Sequence, residues 1–213
     1  MTIAEILRGL NVKRITGPSE KEIEGIAYDS RLVKKGFLFV AVKGLSVDGH
    51  AFIKDVISKG AVGVVTEKAV DVQNEITVIE VDDSRDALAL LSAAFYKDPS
   101  KKLSLIGITG TNGKTTTSYI TKNILEVWGK KVGLIGTIQY MVAGRILPAP
   151  HTTPESSDLQ GYLREMADNS IEYGVIEVSS HALALKRVKG CSFRVAVFTN
   201  FSQDHLDFHG TME

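Results

Sequence analysis

A glycine-rich segment that runs into a lysine and three threonines is the strongest chemical signal in the sequence. It spans Gly107–Thr117, after an apolar run and before a helical pattern, which is the context that a phosphate-binding loop requires. The strict pattern of such loops has glycine where this chain has Ile108. Backbone N–H groups of a glycine-rich turn converge on phosphate oxygens, and the helix start adds its positive dipole end. We therefore predict that nucleotide phosphates are bound by Gly110, Thr111, Asn112, Gly113, Lys114, Thr115 and Thr116.

Two side chains of this loop have specific predicted roles. Lys114 is expected to reach the terminal phosphates of ATP, and the Thr115 hydroxyl is expected to bind Mg²⁺. The alternative is a glycine-rich turn that only caps the following helix through Thr111 or Asn112. The combination of a lysine with three threonines favours phosphate binding.

A second cluster is acidic and rich in histidine. Glu177 lies near the end of an apolar run, where a buried carboxylate is costly unless a cation such as Mg²⁺ compensates it. The later part of the chain adds Asp204, His205, Asp207 and His209. Carboxylates suit Mg²⁺ and imidazole more often binds softer metals, so a hydrogen-bonded structural role is the alternative for any one histidine. The predicted metal ligands are Thr115, Glu177 and His205, and the predicted catalytic residues are Lys114, Glu177 and His205.

Strands and helices alternate strictly in the second half of the sequence. This order predicts an α/β fold with a mainly parallel, P-loop-type sheet, whose ligands bind beyond the carboxyl ends of the strands. The loop, Glu177 and the residues after position 199 all follow predicted strands. The predicted strands are 103–109, 132–138, 174–178 and 195–199, and the predicted helices are 114–127 and 156–167.

The first half predicts a smaller mixed α/β domain. Its predicted strands are 36–42, 61–66 and 76–81, and its predicted helices are 3–10, 51–58 and 84–96. Residues 25–31 are predicted to form a short strand that runs into a polar turn. The polar, proline-containing segment Lys97–Lys102 is typical of a linker. We therefore predict one domain over residues 1–98 and the beginning of a second over residues 99–213.

Composition and charge exclude several classes of protein. The 213 residues carry 25 Lys and Arg against 25 Asp and Glu, a balance without the basic footprint of a nucleic-acid binder. The single cysteine, Cys191, excludes an intrachain disulfide and a cysteine-rich zinc site. We find no apolar run long enough for a membrane span and no signal peptide, so we expect a cytoplasmic protein that contacts neither membrane nor nucleic acid. The sequence leaves the oligomeric state open, and we favour a monomer.

Several motifs in the same order resemble the Mur ligase family. In the second half these motifs are Gly107–Thr117, His151–Pro154, Glu177–Leu183 and Asn200–Gly210. In the first half Asp29–Arg31, Gly36–Gly44 and Asp48–His50 resemble that family's uridine-binding N-terminal domain. The resemblance covers almost the whole chain.

The resemblance implies an ATP-dependent ligase of peptidoglycan precursor synthesis. ATP would phosphorylate a carboxylate of UDP-MurNAc-L-Ala-D-Glu to an acyl phosphate, and the amino group of meso-diaminopimelate or L-lysine would then displace phosphate. Phosphoryl transfer depends on charge neutralisation and alignment, which a phosphate loop, Lys114 and Mg²⁺ can provide. The small-molecule substrates and ATP with Mg²⁺ are therefore the implied ligands.

The resemblance also assigns substrate contacts by position. Glu177 and His205 would serve a second Mg²⁺ near the acyl phosphate. The muramyl-peptide and pyrophosphate portion would be held by Thr152, Thr153, Ser179 and Arg187, and the uracil end by Ser30 with Leu45, Ser46 and Val47. Asp29, Ser30 and Asp48 could instead only cap a turn and a helix.

Two departures from the family pattern stand out. Leu185 is apolar where some members carry a glutamine that contacts substrate. Family members continue beyond the position of Glu213 through a carbamoylated lysine and an amino-acid-binding domain. We therefore expect the chain to be the first part of an enzyme, inactive as a ligase on its own, and the choice of diamino acid is not encoded in it.

Three other functions fit some of these features. Another Mur ligase or a folylpolyglutamate synthetase would share the phosphate loop and Glu177. A binding module would hold a UDP-sugar peptide or a nucleotide without catalysis. A small-molecule P-loop kinase would turn over ATP and would need no uridine site.

Overall fold

The computed structural model describes residues 1–44, 47–72 and 75–212. The chain forms two compact units, which meet between Phe95 and Tyr96, three residues before the predicted boundary. Segment 97–102 is not the open linker that its composition suggests, because Pro99 and Ser100 are buried in a 3₁₀ helix, Pro99–Lys102. The Ser100 hydroxyl accepts a hydrogen bond from the Ser192 N–H at 3.1 Å, which ties this segment to the second unit.

The first unit is a five-stranded sheet with helices on both faces. Strands β2 to β5 pair parallel with one another, and β1 pairs antiparallel with β5, in the order β1-β5-β4-β3-β2. Both faces of the inner strands are buried, as expected for parallel strands covered by helices. The strands are β1 Arg14–Thr16, β2 Gly25–Ala27, β3 Phe37–Val40, β4 Gly63–Thr66 and β5 Thr77–Glu80, and the helices are α1 Ile3–Ile6, α2 Ile53–Ser58 and α3 Ser84–Phe95.

Helices α1 and α3 pack on one face of this sheet and α2 packs on the other. Helix α1 begins with a capping box between Thr2 and Glu5 and ends at Ile6, so the predicted helix over residues 3–10 is too long. Leu7 and Leu10 belong to the same apolar cluster although they lie outside the helix. Apolar spacing therefore identified the buried side chains correctly but not the length of the helix.

The second unit has a six-stranded sheet in the order β11-β6-β10-β7-β8-β9. Four strands, β11, β6, β10 and β7, are parallel, which confirms the predicted mainly parallel α/β class. Helix α4 packs on one face and α5 on the other. The strands are β6 Ser104–Thr109, β7 Val132–Ile135, β8 Gln139–Val142, β9 Arg145–Pro148, β10 Tyr173–Glu177 and β11 Phe193–Phe198, and the helices are α4 Lys114–Val127, α5 Ser156–Asp168, α6 Ser180–Ala184 and α7 Leu206–His209.

The antiparallel hairpin of β8 and β9 was not predicted from the sequence. Its turn is formed by Ala143 and Gly144, which both have positive φ, at 48° and 82°, the geometry of a tight two-residue hairpin turn. Strand β7 ends at Ile135, so the strand predicted to run to residue 138 is also too long. The short helices α6 and α7 were not predicted either.

The parallel strands bring their carboxyl ends to one edge of the sheet. Glu177 at the end of β10 pairs with Ile108 of β6, and Phe198 of β11 pairs with Thr109. The phosphate loop, the segment after β10 and the segment after β11 therefore begin side by side. Within the described residues, none of the helices is long and apolar enough to span a bilayer.

Candidate active site

The glycine-rich segment forms a tight loop between β6 and α4. Ile108 is fully buried within β6, so the strand continues through the position where the strict pattern has glycine. The chain turns instead at Gly110, with φ of 130°, and at Gly113, with φ of 83°, immediately before α4. A side chain at Gly110 would collide with Thr199 and Asn200. Glycine is therefore required there both by conformation and by space.

The segment after β11 holds this loop in shape. The carbonyl of Asn200 accepts the Thr111 N–H at 3.1 Å, and its Oδ1 accepts the Asn112 N–H at 3.0 Å. The Thr111 hydroxyl also exchanges hydrogen bonds with the backbone of Ser202. Two loop N–H groups that we expected to face phosphate are thus bound within the protein. The N–H groups at the start of α4, which have no partner inside a helix, remain the donors for an anion.

Lys114 lies across its own loop. Its Nζ donates to the carbonyl of Gly110 at 2.7 Å and to that of Thr111 at 3.0 Å. Phosphate oxygens are charged and accept stronger hydrogen bonds than neutral carbonyls. The ammonium group is therefore positioned to exchange these carbonyls for a phosphate group with little movement of the backbone.

A cavity of about 370 Å³ opens beside this lysine. Its volume lies within the usual range for small-molecule sites. Residues of the loop and residues at or after the end of β11 share the lining, among them Gly110, Thr111, Lys114, Phe198, Phe201 and His205. Lys114 and His205, two of the three predicted catalytic residues, thus border one cavity.

Glu177 is fully buried behind the loop. Its Oε2 accepts the hydroxyls of Thr115 at 2.8 Å and Thr137 at 3.0 Å, and its Oε1 accepts that of Ser118 at 3.1 Å. Gly136 leaves room for the carboxylate, since a Cβ there would lie against it. Across the described part of the chain, no lysine, arginine or histidine forms an ion pair with Glu177. Three neutral hydroxyls therefore compensate this buried charge.

The donor set around Glu177 fits a magnesium ion. A carboxylate and a threonine hydroxyl in direct contact are hard oxygen ligands of the kind that Mg²⁺ prefers. Mg²⁺ usually keeps several waters and takes few protein ligands, so the pair Thr115 and Glu177 can suffice. Within the described residues, His205 has no hydrogen bond or ion pair with Glu177, and its recorded polar contacts are with Asp204.

The histidines form a separate aromatic cluster. The ring of His181 lies 4.6 Å from that of His205 and 4.2 Å from that of Phe208, between centroids. Burial lowers the pKa of His181, and the neighbouring His205 and His209 lower it further. Among the residues that the structure describes, no group of three or more His, Cys, Asp or Glu is arranged to hold a metal ion. The assignment of His205 as a ligand thus stays a prediction.

Three of the predicted substrate residues gather around Glu177. The Thr153 hydroxyl donates to the Glu177 carbonyl at 2.7 Å and accepts the Ser179 N–H at 3.1 Å. Thr152 lies 3.0 Å from the hydroxyl of Thr137, between the two Oγ1 atoms. Ser179 also caps α6 through the Ala182 N–H. The segment after β9 is thereby fixed to the end of β10.

Arg187 supports the same segment. Its Nη1 donates to the Thr153 carbonyl at 2.9 Å, and its Nε lies 3.5 Å from a carboxylate oxygen of Glu155. Both side chains are largely buried, with 15% and 13% of their surface exposed. Arg187 therefore has a clear structural role here, and its contact with substrate remains a prediction. Leu185, half-buried, ends α6.

The residues predicted to hold uracil belong to the first unit. Leu45 and Ser46 lie outside the described residues, and Val47 is exposed. The Ser30 carbonyl accepts a hydrogen bond from Lys59 Nζ at 2.9 Å, and its hydroxyl has no hydrogen bond within the described chain.

The carboxylates beside these residues are engaged within the protein. Asp29 forms an ion pair with Arg31 and accepts its N–H, and Asp48 accepts the N–H and Nδ1 of His50. These contacts hold the pKa of both aspartates below the usual range. The capping roles considered for Asp29 and Asp48 are thus observed, and uracil binding stays untested.

Three residues of the site escaped the sequence analysis as individuals: Ser118, Thr137 and Asn200. Thr137 and Asn200 each follow the end of a strand, β7 and β11, by two residues, so the rule that ligands lie beyond strand ends identifies both. Ser118 follows Thr115 by three positions on α4, which places both hydroxyls on one helix face.

Comparison with known proteins places both units in one group of enzymes. The family model described as "Mur ligase family, catalytic domain" matches residues 22–96, and the one described as "Mur ligase middle domain" matches residues 108–213. The UDP-N-acetylmuramoyl-L-alanyl-D-glutamate--2,6-diaminopimelate ligase of Caldanaerobacter subterraneus subsp. tengcongensis is 49% identical over 213 residues, which are 100% of this chain and 44% of that protein. The chain thus spans less than half the length of the curated relatives it matches.

Solved structures agree with this assignment. A UDP-N-acetylmuramoyl-L-alanyl-D-glutamate--2,6-diaminopimelate ligase has a TM-score of 0.80 at 27% identity, with 100% of this chain and 42% of that chain covered. A MurF ligase from Thermotoga maritima, solved in complex with ADP, has a TM-score of 0.58 at 27% identity, with 90% of this chain and 40% of that chain covered.

Proposed function

Because the chain belongs to the Mur ligase family, we propose that it is the nucleotide-binding and UDP-sugar-binding part of an ATP-dependent ligase. The ligase adds an amino acid to UDP-MurNAc-L-Ala-D-Glu. The names of the relatives favour 2,6-diaminopimelate over L-lysine as that amino acid. Because the chain spans 44% of such a relative, the proposal assigns amide-bond formation to the longer enzyme and ligand binding to this chain.

One observation carries the proposal. The phosphate loop and the buried Glu177 meet through the hydrogen bond of 2.8 Å from the Thr115 hydroxyl. A helix start, a lysine and an oxygen pair suited to Mg²⁺ are therefore combined at one sheet edge, which is the arrangement that phosphoryl transfer requires. The ADP complex of the MurF ligase adds support for nucleotide binding.

The residues of this chain then have the following roles. The N–H groups at the start of α4 and the Lys114 ammonium bind the nucleotide phosphates and neutralise their charge. Thr115 and Glu177 would hold Mg²⁺, which supplies charge neutralisation between the phosphates. Thr152, Thr153 and Ser179 would orient the substrate carboxylate beside them.

The first unit would bind the uridine end of the substrate. The Ser30 hydroxyl, which has no hydrogen bond to any described residue, and the neighbouring backbone are the groups offered to a base edge. A site that hydrogen-bonds one base leaves polar groups unpaired when another base enters, so it discriminates between bases. We therefore include recognition of uridine over cytidine in the proposal.

Calorimetric titration of the chain with ATP and Mg²⁺ tests the proposed nucleotide site. Lys114→Ala should weaken binding about 10- to 100-fold, the range for loss of hydrogen bonds to a charged group. Lys54→Ala, on the exposed side of α2, is the matched control and should bind like the wild type. Equal affinities for wild type and Lys114→Ala would contradict the nucleotide site.

A second titration tests the proposed uridine site. UDP-MurNAc-L-Ala-D-Glu should bind more tightly than its cytidine analogue, and Ser30→Ala should reduce the difference. Equal binding of both analogues by the wild type would remove uridine recognition from the proposal and leave the nucleotide site unaffected.

A further inference from the structure

A chain of hydroxyl groups connects Glu177 to the segment after β9. Thr137 Oγ1 lies 3.0 Å from Glu177 Oε2 and 3.0 Å from Thr152 Oγ1. An ionised carboxylate only accepts hydrogen bonds, so the single proton of Thr137 goes to Glu177. The proton between the two threonines must then come from Thr152. The direction of every hydrogen bond in this chain is therefore fixed.

We propose that Thr137 is a positioning residue, which orients the Glu177 carboxylate for a divalent cation and couples that cation to Thr152. The inference rests on the proposed function, since it takes Thr115 and Glu177 as the cation ligands. Thr137 itself contacts the carboxylate and is not a ligand of the cation or the nucleotide.

A bound cation would displace the hydrogen bond from the Thr115 hydroxyl to Glu177, and Thr137 is then needed to orient the carboxylate. Thr115 and Thr137 both donate to the same oxygen, Glu177 Oε2. A cation that binds Thr115 Oγ1 and Glu177 Oε2 points the Thr115 proton away from the carboxylate, because metal and proton cannot occupy the same side of the hydroxyl. Thr137 then remains as the donor to that oxygen.

The rest of the surroundings leaves this task to Thr137. The Glu177 backbone is fixed by the Thr153 hydroxyl at 2.7 Å, and Oε1 is held by Ser118. Gly136 offers no side chain, only space. Once the Thr115 hydroxyl has turned to a cation, Thr137 is therefore the one described residue that still restrains rotation of the carboxylate at Oε2.

Thr137 is exposed although Glu177 is buried. Replacement of its hydroxyl by a methyl group removes no core contact, so Thr137→Val should fold. Thr137→Ser keeps the donor and loses a methyl group. Thr16, an exposed threonine on β1 in the first unit, provides the matched control Thr16→Val.

The experiment measures ADP affinity of the 213-residue chain by calorimetry, once with Mg²⁺ and once with EDTA. Thr137→Val should weaken binding about three- to tenfold with Mg²⁺, the size of one net hydrogen bond, and less than twofold with EDTA. The ADP affinities of Thr137→Ser and Thr16→Val should lie within about twofold of the wild type in both conditions, a smaller change than that expected for Thr137→Val.

A double-mutant cycle tests the coupling to Thr152. Thr152→Val should also reduce the gain in affinity that Mg²⁺ gives, because Thr137 loses the donor that orients it. In a chain that already carries Thr137→Val, Thr152→Val should not reduce the Mg²⁺-dependent gain in ADP affinity any further, because the effects of substitutions within one hydrogen-bond network are not additive. Additive losses would contradict the coupling.

The outcomes separate this inference from the proposed function. If Mg²⁺ does not increase the ADP affinity of the wild type, the cation role of Thr115 and Glu177 is wrong, and the role of Thr137 is wrong with it. If Mg²⁺ increases the affinity of the wild type and of Thr137→Val equally, only the Thr137 assignment is wrong. Equal losses with Mg²⁺ and with EDTA, or failure of Thr137→Ser to restore binding, also overturn it.

Discussion

The side chain of Asn200 binds both the backbone N–H and the backbone carbonyl of Asn112. Its Oδ1 accepts the Asn112 N–H at 3.0 Å, and its Nδ2 donates to the Asn112 carbonyl at 3.0 Å. The Thr199 hydroxyl donates to the same carbonyl at 2.7 Å. The shape of the phosphate loop therefore depends on the residues after β11 as well as on its own glycines.

Asn200→Ala should loosen the loop without unfolding the chain, because Asn200 is exposed. Two hydrogen bonds are lost, at about 0.5–1.5 kcal/mol each, and the loop must then be ordered by the ligand. We expect ATP affinity to fall about tenfold. Asn123→Ala on the exposed face of α4 is the control for calorimetry. Unchanged affinity in Asn200→Ala would show that the loop keeps its shape by itself.

Gly136→Ala should displace the Glu177 carboxylate, because the added Cβ would lie 2.7 Å from its Cδ. Overpacking of a buried site costs about 1–3 kcal/mol, and urea denaturation should show that decrease in the free energy of unfolding. Gly161→Ala in α5 is the contrasting variant, since its Cβ would lie 3.4 Å from the Tyr96 hydroxyl. Alanine is favoured over glycine in a helix, so Gly161→Ala should equal or exceed the wild type in stability. An equal change in the free energy of unfolding for both variants would contradict the close approach of Gly136 to the Glu177 carboxylate.

Cys191 should resist alkylation in the folded chain. Burial raises the pKa of its thiol to about 12, and the Gln160 amide, which donates to Sγ at 3.4 Å, only partly opposes this. The thiolate is the reactive form, and an unfolded cysteine has a pKa of about 8.5. Iodoacetamide at about pH 8.5 should therefore label the chain in urea and not in buffer, as read by mass spectrometry. Fast labelling in buffer would mean that the thiol is accessible.

The same pKa shift gives stability a pH dependence. The unfolded chain releases the thiol proton above about pH 8.5, whereas the folded chain retains it. The Cys191 contribution to the free energy of unfolding should thus be complete below that pH and decrease as the pH rises toward 12. In Cys191→Ala, the free energy of unfolding should decrease less between about pH 8.5 and pH 12 than in the wild type, as measured by denaturation at increasing pH.

The sequence predicted the regular parts of the fold because their signals are local. The glycines at 110 and 113 and the amphipathic helix α4 identify the phosphate loop by themselves, and α4 begins and ends at the predicted residues. The hairpin of β8 and β9 was missed because its turn uses Ala143 in a positive-φ conformation, where alanine gives no turn signal. The end of β7 was misplaced because Gly136 is dictated by Glu177, a residue far away in the sequence.

Within the site, residue types were easier to predict than partners. Glu177 was recognised as a carboxylate that needs compensation, and the structure shows that hydroxyls provide it. The distance between His205 and Glu177 depends on how the chain returns after β11, for which no local pattern exists. The sequence also did not show which N–H groups of the loop are left to bind an anion. The Asn112 N–H is bound by Asn200, a residue 88 positions away in the sequence.

The contact between the phosphate loop and the end of β11 also constrains the order of events in the cell. Thr111 and Ser202 are 91 positions apart, yet each fixes the other. A growing chain emerges from the ribosome with its N-terminal part first, so the loop is synthesised long before the segment that shapes it. The first unit is compact by itself, so it can fold while synthesis continues. A nascent chain that ends after α5 carries every glycine of the loop but neither Asn200 nor Ser202, so it lacks the contacts that shape the loop.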